Sequence, residues 1–115
     1  MLFLAAALVI CAPGPRDNCV VDGDTFWLDG EKVRIADIDA PEMDGRCPYE
    51  TQLARRSRDR LLVLLNSGRF EMHVEGQDRY GRTLAVIVRN GHSLGDQLVS
   101  EGLARTWTGR REPWC

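Results

Sequence analysis

The chain opens on an unbroken apolar run from Met1 to Ile10, and only later do hydrophobic and polar positions begin to alternate. A run of that length is too short to cross a bilayer but fits the core of a signal peptide, so residues 1–12 are expected to form an export leader. Cys11, after Leu8-Val9-Ile10, loosely resembles a lipoprotein cleavage box, which leaves a lipid anchor at Cys11 open. The competing reading is a buried first strand, against which stands the chain-breaking Pro13-Gly14-Pro15. From Cys19 to Leu28, the strand formers Val20, Val21, Phe26 and Trp27 predict one strand interrupted by Asp22-Gly23-Asp24. Asp29-Gly30 signals a hairpin turn. Glu31 to Ile38 predicts the returning strand, with Val33 and Ile35 alternating against Lys32 and Arg34. Regular alternation would put Arg34 and Asp39 on opposite faces, so the backbone must leave strand geometry near Asp37 to Asp39 if both serve one site.

Met43 to Cys47 reads as a loop, and Pro48 suits the first turn of a helix. That helix is predicted over about Tyr49 to Asn66. Leu53, Ser57, Leu61, Leu64 and Leu65 fall on one stripe, Arg55, Arg56, Arg58, Asp59 and Arg60 face elsewhere, and Gly68 ends it. Arg69 to Val74 predicts a strand with Phe70, Met72 and Val74 on one face. Glu75 to Gly81 predicts a loop, and Arg82 to Arg89 a strand carrying Leu84, Val86 and Val88. Asn90-Gly91 turns the chain, Ser93 with Asp96 resembles a capping box, and a short helix follows to Glu101 before Gly102. The sum is mainly β with α (α+β). A small, strongly curved barrel with a helix at its mouth fits, and the five-stranded OB-fold barrel with two helices is the commonest such form. Residues 18–110 are expected to form this single domain, with 111–115 a C-terminal tail.

Length and composition agree with one small folded domain: 115 residues, 43% hydrophobic, 28% charged. The net charge of −2 does not announce a nucleic-acid binder, but its distribution changes the picture. Residues 17–50 hold 10 acidic and 3 basic side chains, residues 51–115 hold 7 acidic and 11 basic. An acidic half beside a basic half suits a site for both a cation and a polyanion, and equally suits two ordinary surface faces. Of the 15 basic residues only Lys32 is Lys. Arg grips phosphate in a two-pronged geometry unavailable to Lys, though a compositional bias would leave the same count. Four cysteines are compatible with an oxidising compartment and allow three pairings, which the sequence does not distinguish. Loss of a leader beyond Cys11 would leave an odd number. A zinc site would need clustered ligands, whereas these cysteines are scattered and His73 and His92 lie far from them.

Three stretches carry candidate chemistry: Asp22-Gly23-Asp24-Thr25, then Arg34-Ile35-Ala36-Asp37-Ile38-Asp39-Ala40-Pro41-Glu42, then Asp78-Arg79-Tyr80-Gly81-Arg82. Asp22, Asp24 and Asp39 offer oxygen ligands, which select hard cations such as Ca²⁺ or Mg²⁺ and leave water and substrate to complete the shell. Glu42 offers a spare carboxylate for a water. Arg34 and Arg82 offer fixed positive charge where phosphate oxygens gain negative charge during hydrolysis. Taken singly, each has a plainer reading: Asp-Gly-Asp is a turn, Glu42 an exposed loop residue, and a strand Arg a surface ion pair with Asp37 or Asp78.

The three stretches together, in this order, resemble the staphylococcal nuclease-like (thermonuclease) family, over about Val20 to Trp107. The resemblance implies the OB-fold and a secreted, Ca²⁺-dependent nuclease hydrolysing the phosphodiester bonds of single- and double-stranded DNA and RNA, leaving 3′-phosphates. It implies metal ligands at Asp24, Asp39 and the backbone carbonyl of Ala40, with Asp22 as a possible outer-shell residue. Ala40 stands where the family's type member has Thr, a change that a carbonyl ligand survives. It implies Arg34, Glu42 and Arg82 as catalytic, and Arg79 and Tyr80 as contacts to the 3′-side phosphate and sugar, with Arg79 replacing a Lys. Tyr80 as a structural hydroxyl stays open, as does Trp107 as either a base-stacking platform or a core residue. Trp27 is expected in the barrel, Trp114 beside Cys115, and both histidines as surface or satisfied polar residues. A monomer is expected. The alternative is a non-catalytic OB-fold nucleic-acid-binding module. An envelope-anchored structural protein is a further rival, resting only on Met1 to Cys11.

Overall fold

The computed structural model describes residues 2–3 and 7–115, with side chains from residue 7 onward. Among the described residues twelve elements follow in chain order: β1 (Leu2–Phe3), β2 (Val9–Ile10), β3 (Cys19–Asp22), β4 (Thr25–Leu28), β5 (Glu31–Ile35), β6 (Ile38–Asp39), α1 (Pro48–Asn66), β7 (Phe70–Gln77), β8 (Thr83–Arg89), β9 (His92–Ser93), α2 (Leu94–Ser100) and β10 (Arg105–Thr106). The main sheet runs β1-β7-β8-β5-β4-β3-β2. Its central five strands keep OB-fold order: β3, β4 and β5 form an antiparallel meander, β5 runs parallel to β8, and β8 pairs antiparallel with β7. α1 packs against β3, and α2 against β8. β6 and β10 form a separate antiparallel pair.

The two predicted turns have the backbone their residues favour. Asp29 and Gly30 both take positive φ (49° and 79°), as do Asn90 and Gly91 (53° and 77°). That double left-handed conformation makes a tight hairpin turn whose twist matches the flanking strands. Cys19 to Leu28 is not one interrupted strand. The chain reverses at Gly23-Asp24, and β3 and β4 pair antiparallel, with Val20 opposite Phe26. Gly23 makes that reversal possible, because a Cβ there would meet Ser57 Oγ of α1 at 1.9 Å.

α1 begins at Pro48 and buries the predicted stripe of Leu53, Ser57, Leu61, Leu64 and Leu65, together with Glu50 and Ala54. The fully enclosed side chains Val20, Phe26, Val33, Ile35, Ile38, Leu61, Leu65, Ile87 and Leu98 form the barrel core. Burial of each contributes about 1.5–3 kcal/mol. β7 outruns its predicted end and reaches Gln77, with Val74 exposed rather than inside with Phe70 and Met72. In β8 the inward residues are Thr83, Ala85 and Ile87, while Leu84, Val86 and Val88 are half-buried. Every position of β8 from Leu84 to Val88 is apolar, so alternation alone picks no inner face. Ser93 caps α2 by accepting from the Asp96 amide (3.0 Å). The helix ends one residue earlier than predicted, at Ser100.

Within the leader-like stretch, Met1 and Leu4 to Ala6 lie outside the described residues. β1 pairs with β7, and β2 runs parallel to β3. Leu8 is buried, and the Asn66 side chain bonds both its amide (2.9 Å) and its carbonyl (3.0 Å). All four cysteines are paired, Cys11 with Cys19 and Cys47 with Cys115. A lipid at Cys11 would need a sulfur that this pairing consumes. Among the described residues, no helix is long and apolar enough to cross a membrane.

Candidate active site

The site grows from two irregularities in the barrel wall. At the first, the β3–β4 reversal carries Asp22 and Asp24. The Asp24 amide donates to Asp22 Oδ1 (3.1 Å), and the buried Asp24 carboxylate accepts from Thr25 Oγ1 (3.0 Å) and from the Ala40 amide (2.9 Å). At the second, β5 stops at Ile35 and the chain turns through Ala36-Asp37 into β6, leaving strand geometry where Arg34 and Asp39 require it. Arg34 folds into that turn: its Nη1 donates to the carbonyls of Ile35 and Ile38, and its Nη2 lies 3.4 Å from Asp24 Oδ2. Asp39 is buried, and its Oδ2 has no hydrogen-bond partner.

A cavity of about 610 Å³ joins these pieces; Asp22, Asp24, Arg34, Glu42, Arg82, Tyr80, Arg79, Trp107 and Arg111 are among its lining residues. The structure thus brings Arg34, Glu42 and Arg82 to one opening. Asp39 and Ala40 sit just behind it, tied in through Arg111 and Asp24. Arg82 is held from the β7–β8 turn, where Asp78 accepts from its Nε (2.6 Å) and amide (2.9 Å) and from the Tyr80 amide (2.9 Å). Desolvation pushes the Asp78 carboxyl up, but the bonds from the Arg82 amide and side chain and the Tyr80 amide outweigh it and hold Asp78 below its ordinary value. Tyr80 is exposed, accepts from Arg79 through its hydroxyl (2.9 Å), and lies against the Arg82 guanidinium (5.6 Å to the ring centre). Trp107 is 39% exposed on the cavity wall, so the core reading of this residue does not hold. Both histidines are exposed, His73 against Glu71.

The carboxylates fit a hard cation. Burial, the charge of Asp24 and more weakly that of Glu42 push Asp22 up to about 8. Carboxylates crowded in this way lower their repulsion by sharing a positive ion. The orphaned Asp39 Oδ2 is a second oxygen waiting for a donor or a cation. Among the described residues, no cluster of three His, Cys, Asp or Glu side chains is tight enough to hold a metal by itself. Water, the Ala40 carbonyl and a substrate oxygen would therefore complete the shell.

Two residues escaped the sequence reading. Glu50 lies buried at the start of α1 and accepts from the amides of Glu42 (3.0 Å) and Arg46 (3.0 Å). The Arg46 bond first, then the Glu42 bond, draws the Glu50 carboxyl below its ordinary value against the cost of burial. The Cys115 sulfur lies 3.7 Å from Glu50, but as a disulfide it has no proton to donate. Arg111 comes from the tail, and its Nη2 contacts both Asp39 Oδ1 (3.1 Å) and Glu42 Oε1. The sequence signal for Glu50 was slight, a carboxylate in the first turn of a helix. For Arg111 there was none.

Comparison with known proteins agrees with this geometry. Residues 32–113 match the family described as staphylococcal nuclease homologue. Endonuclease YncB of Bacillus subtilis is 35% identical over 96 residues, covering 74% of this chain and 44% of that protein. The thermonuclease of Staphylococcus intermedius is 35% identical over 92 residues, 75% of this chain and 55% of the relative. An uncharacterized endonuclease of Haemophilus influenzae is 31% identical over 113 residues, 90% and 60% respectively. The chain thus spans roughly half the length of these relatives. The match begins at Lys32, so Asp22 and Asp24 rest on the β3–β4 turn, whereas Arg34 to Glu42 and Asp78 to Arg82 lie inside the matched segment. With the five-stranded OB order and the two arginine-bearing segments inside that match, this chain belongs to the staphylococcal nuclease family.

Proposed function

We propose that this chain is a metal-dependent endonuclease that hydrolyses phosphodiester bonds of single- and double-stranded DNA and RNA, with Ca²⁺ as the cofactor and 3′-phosphates as products. The observation that carries it is the shared cavity, lined by a spare carboxylate (Glu42), two guanidinium groups (Arg34, Arg82) and Asp24, with Asp39 just behind it and linked through Arg111. The relatives named endonuclease and thermonuclease support the same reading.

A bound Ca²⁺, held by Asp24, Asp39 and the Ala40 carbonyl, would polarise the phosphate and offset its charge. Glu42 orients a water and takes its proton as oxygen attacks phosphorus. The bond to the 5′ oxygen breaks, and the departing oxygen collects a proton from solvent. Arg34 and Arg82 stabilise the negative charge that builds on the phosphate oxygens, a term usually larger in the transition state than in the ground state. Arg79 and Tyr80, exposed at the β7–β8 turn, hold the 3′-side phosphate and sugar.

The test is incubation of purified protein with single-stranded DNA in Ca²⁺ and in EDTA, beside Glu42→Gln. Cleavage that requires the metal and collapses in the variant supports the nuclease. DNA binding without cleavage under every metal tried moves the reading to a nucleic-acid-binding module. We infer export as well, from the two disulfides, which persist in oxidising compartments. Loss of residues 1–12 would remove buried Leu8 and leave Cys19 without its partner. The intact mass of the exported protein reads whether that stretch is kept.

A further inference from the structure

Glu42 is gripped at two points. Its amide donates to buried Glu50, and its carboxylate meets Arg111. The guanidinium is brought there from the far end of the chain by a covalent tie. Cys47 lies five residues after Glu42 and Cys115 four after Arg111, so the Cys47–Cys115 disulfide makes Glu42 and Arg111 the two ends of one short tether. The segment between is braced further: Arg105 stacks on Trp114 (3.7 Å to the ring centre) and donates to the carbonyls of Glu112 (3.1 Å) and Pro113 (3.0 Å). Such tethering raises the local concentration of the guanidinium at the carboxylate far above that of a free side chain.

The Glu42–Arg111 pair also forms the wall between two cavities. It lines the one that holds Arg34 and Arg82, and a second of about 620 Å³ bounded by Gly45, Glu50, Pro113 and Cys115. A carboxylate on a flexible stem at such a boundary can turn to either side, and only one side faces the phosphate-binding arginines.

We propose that Arg111 is a positioning residue for Glu42: it holds Oε1 so that the other carboxylate oxygen faces the water, and the Cys47–Cys115 disulfide keeps it there. The role rests on the nuclease reading. Arg111 is more than half exposed, so its pair with Glu42 adds little to folding stability. Its effect belongs in the chemical step. Arg111 also neutralises Asp39, so its loss leaves that carboxylate no poorer a ligand for a cation.

The experiment measures kcat, KM, Tm and calorimetric Ca²⁺ affinity for the wild type, Arg111→Ala, Arg111→Lys, Glu42→Gln, the Arg111→Ala/Glu42→Gln pair and Cys47→Ser/Cys115→Ser. A small misplacement of a reacting group costs up to ~10²-fold in rate. Arg111→Ala is expected to lower kcat by about 10- to 100-fold, with KM and Tm little changed and Ca²⁺ bound no more weakly. Arg111→Lys recovers part of the loss. In the Glu42→Gln background, Arg111→Ala costs nothing further, because it acts through Glu42. The cysteine pair reproduces the loss in kcat, and if that variant does not fold the arginine series decides alone. Wild-type kcat in Arg111→Ala, or an equal loss in both backgrounds, overturns the role while leaving the nuclease standing. A wild type that cleaves nothing under any metal overturns both.

Discussion

Arg34 and Arg82 are each anchored by a carboxylate of the protein itself, Arg34 by the proposed metal ligand Asp24 and Arg82 by Asp78. That anchoring orders them before substrate arrives. Replacing either by Ala is expected to lower the rate of DNA cleavage by ~10²–10³-fold, with Tm shifting by only a few degrees, as read by steady-state kinetics beside thermal melts. These residues were legible because each sits within a contiguous motif. Glu50 was not, since its role depends on burial and on two amides that only the folded loop presents. It carries a pH signature. A carboxyl whose folded pKa is depressed contributes stability that is fully present above the unfolded value and is lost as pH falls through the folded one. Glu50→Gln should therefore cost stability at pH 7, and the deficit should shrink as pH falls from the unfolded value of about 4.3 through the lower folded one. Urea unfolding of the pair at pH 7 and across that acid window checks it.

At the scale of elements, the β3–β4 reversal depends on its contact with α1. Gly23 lies so close to Ser57 that an added methyl has no room, and Ala40 crowds it from the other side. Gly23→Ala is expected to destabilise the fold by about 1–3 kcal/mol, seen as a lower denaturation midpoint, and to disturb metal binding through the adjoining Asp24. The sequence marked this segment as interrupted but not as reversing, because the cause of the turn lies 34 residues further on, in α1. β10 teaches the same point. Its pairing with β6 and the bond from the Trp107 amide to the Asp37 carbonyl (2.9 Å) set Trp107 on the cavity wall. If a base stacks there, Trp107→Ala should raise KM for single-stranded DNA by about 10-fold or more, with kcat less affected, since base stacking on an aromatic contributes ~1–3 kcal/mol. An unchanged KM would assign Trp107 to the wall alone.

For the molecule as a whole, the two disulfides differ in reach, spanning 8 and 68 residues. Chain-entropy reasoning gives about 2.5 kcal/mol for the shorter loop and about 4 kcal/mol for the longer. Serine pairs at Cys11/Cys19 and at Cys47/Cys115 should lower unfolding free energy in that order, measured by chemical denaturation. A small domain gains much from such ties, because its core buries a smaller share of its surface.

The amino-acid sequence by itself determined what is local. The α1 stripe from Leu53 to Leu65, the turns at Asp29-Gly30 and Asn90-Gly91, the Ser93 cap and the order of the carboxylate and arginine motifs all follow from spacing and residue type. Each is settled within a few residues, where backbone preference and hydrophobic period act directly. Tertiary structure alone decided which face of β8 points inward, which of three cysteine pairings forms, and that Glu50 from the start of α1 and Arg111 from the C-terminal tail both grip Glu42. Those outcomes depend on where distant segments meet, and no period or propensity within a short window carries that information.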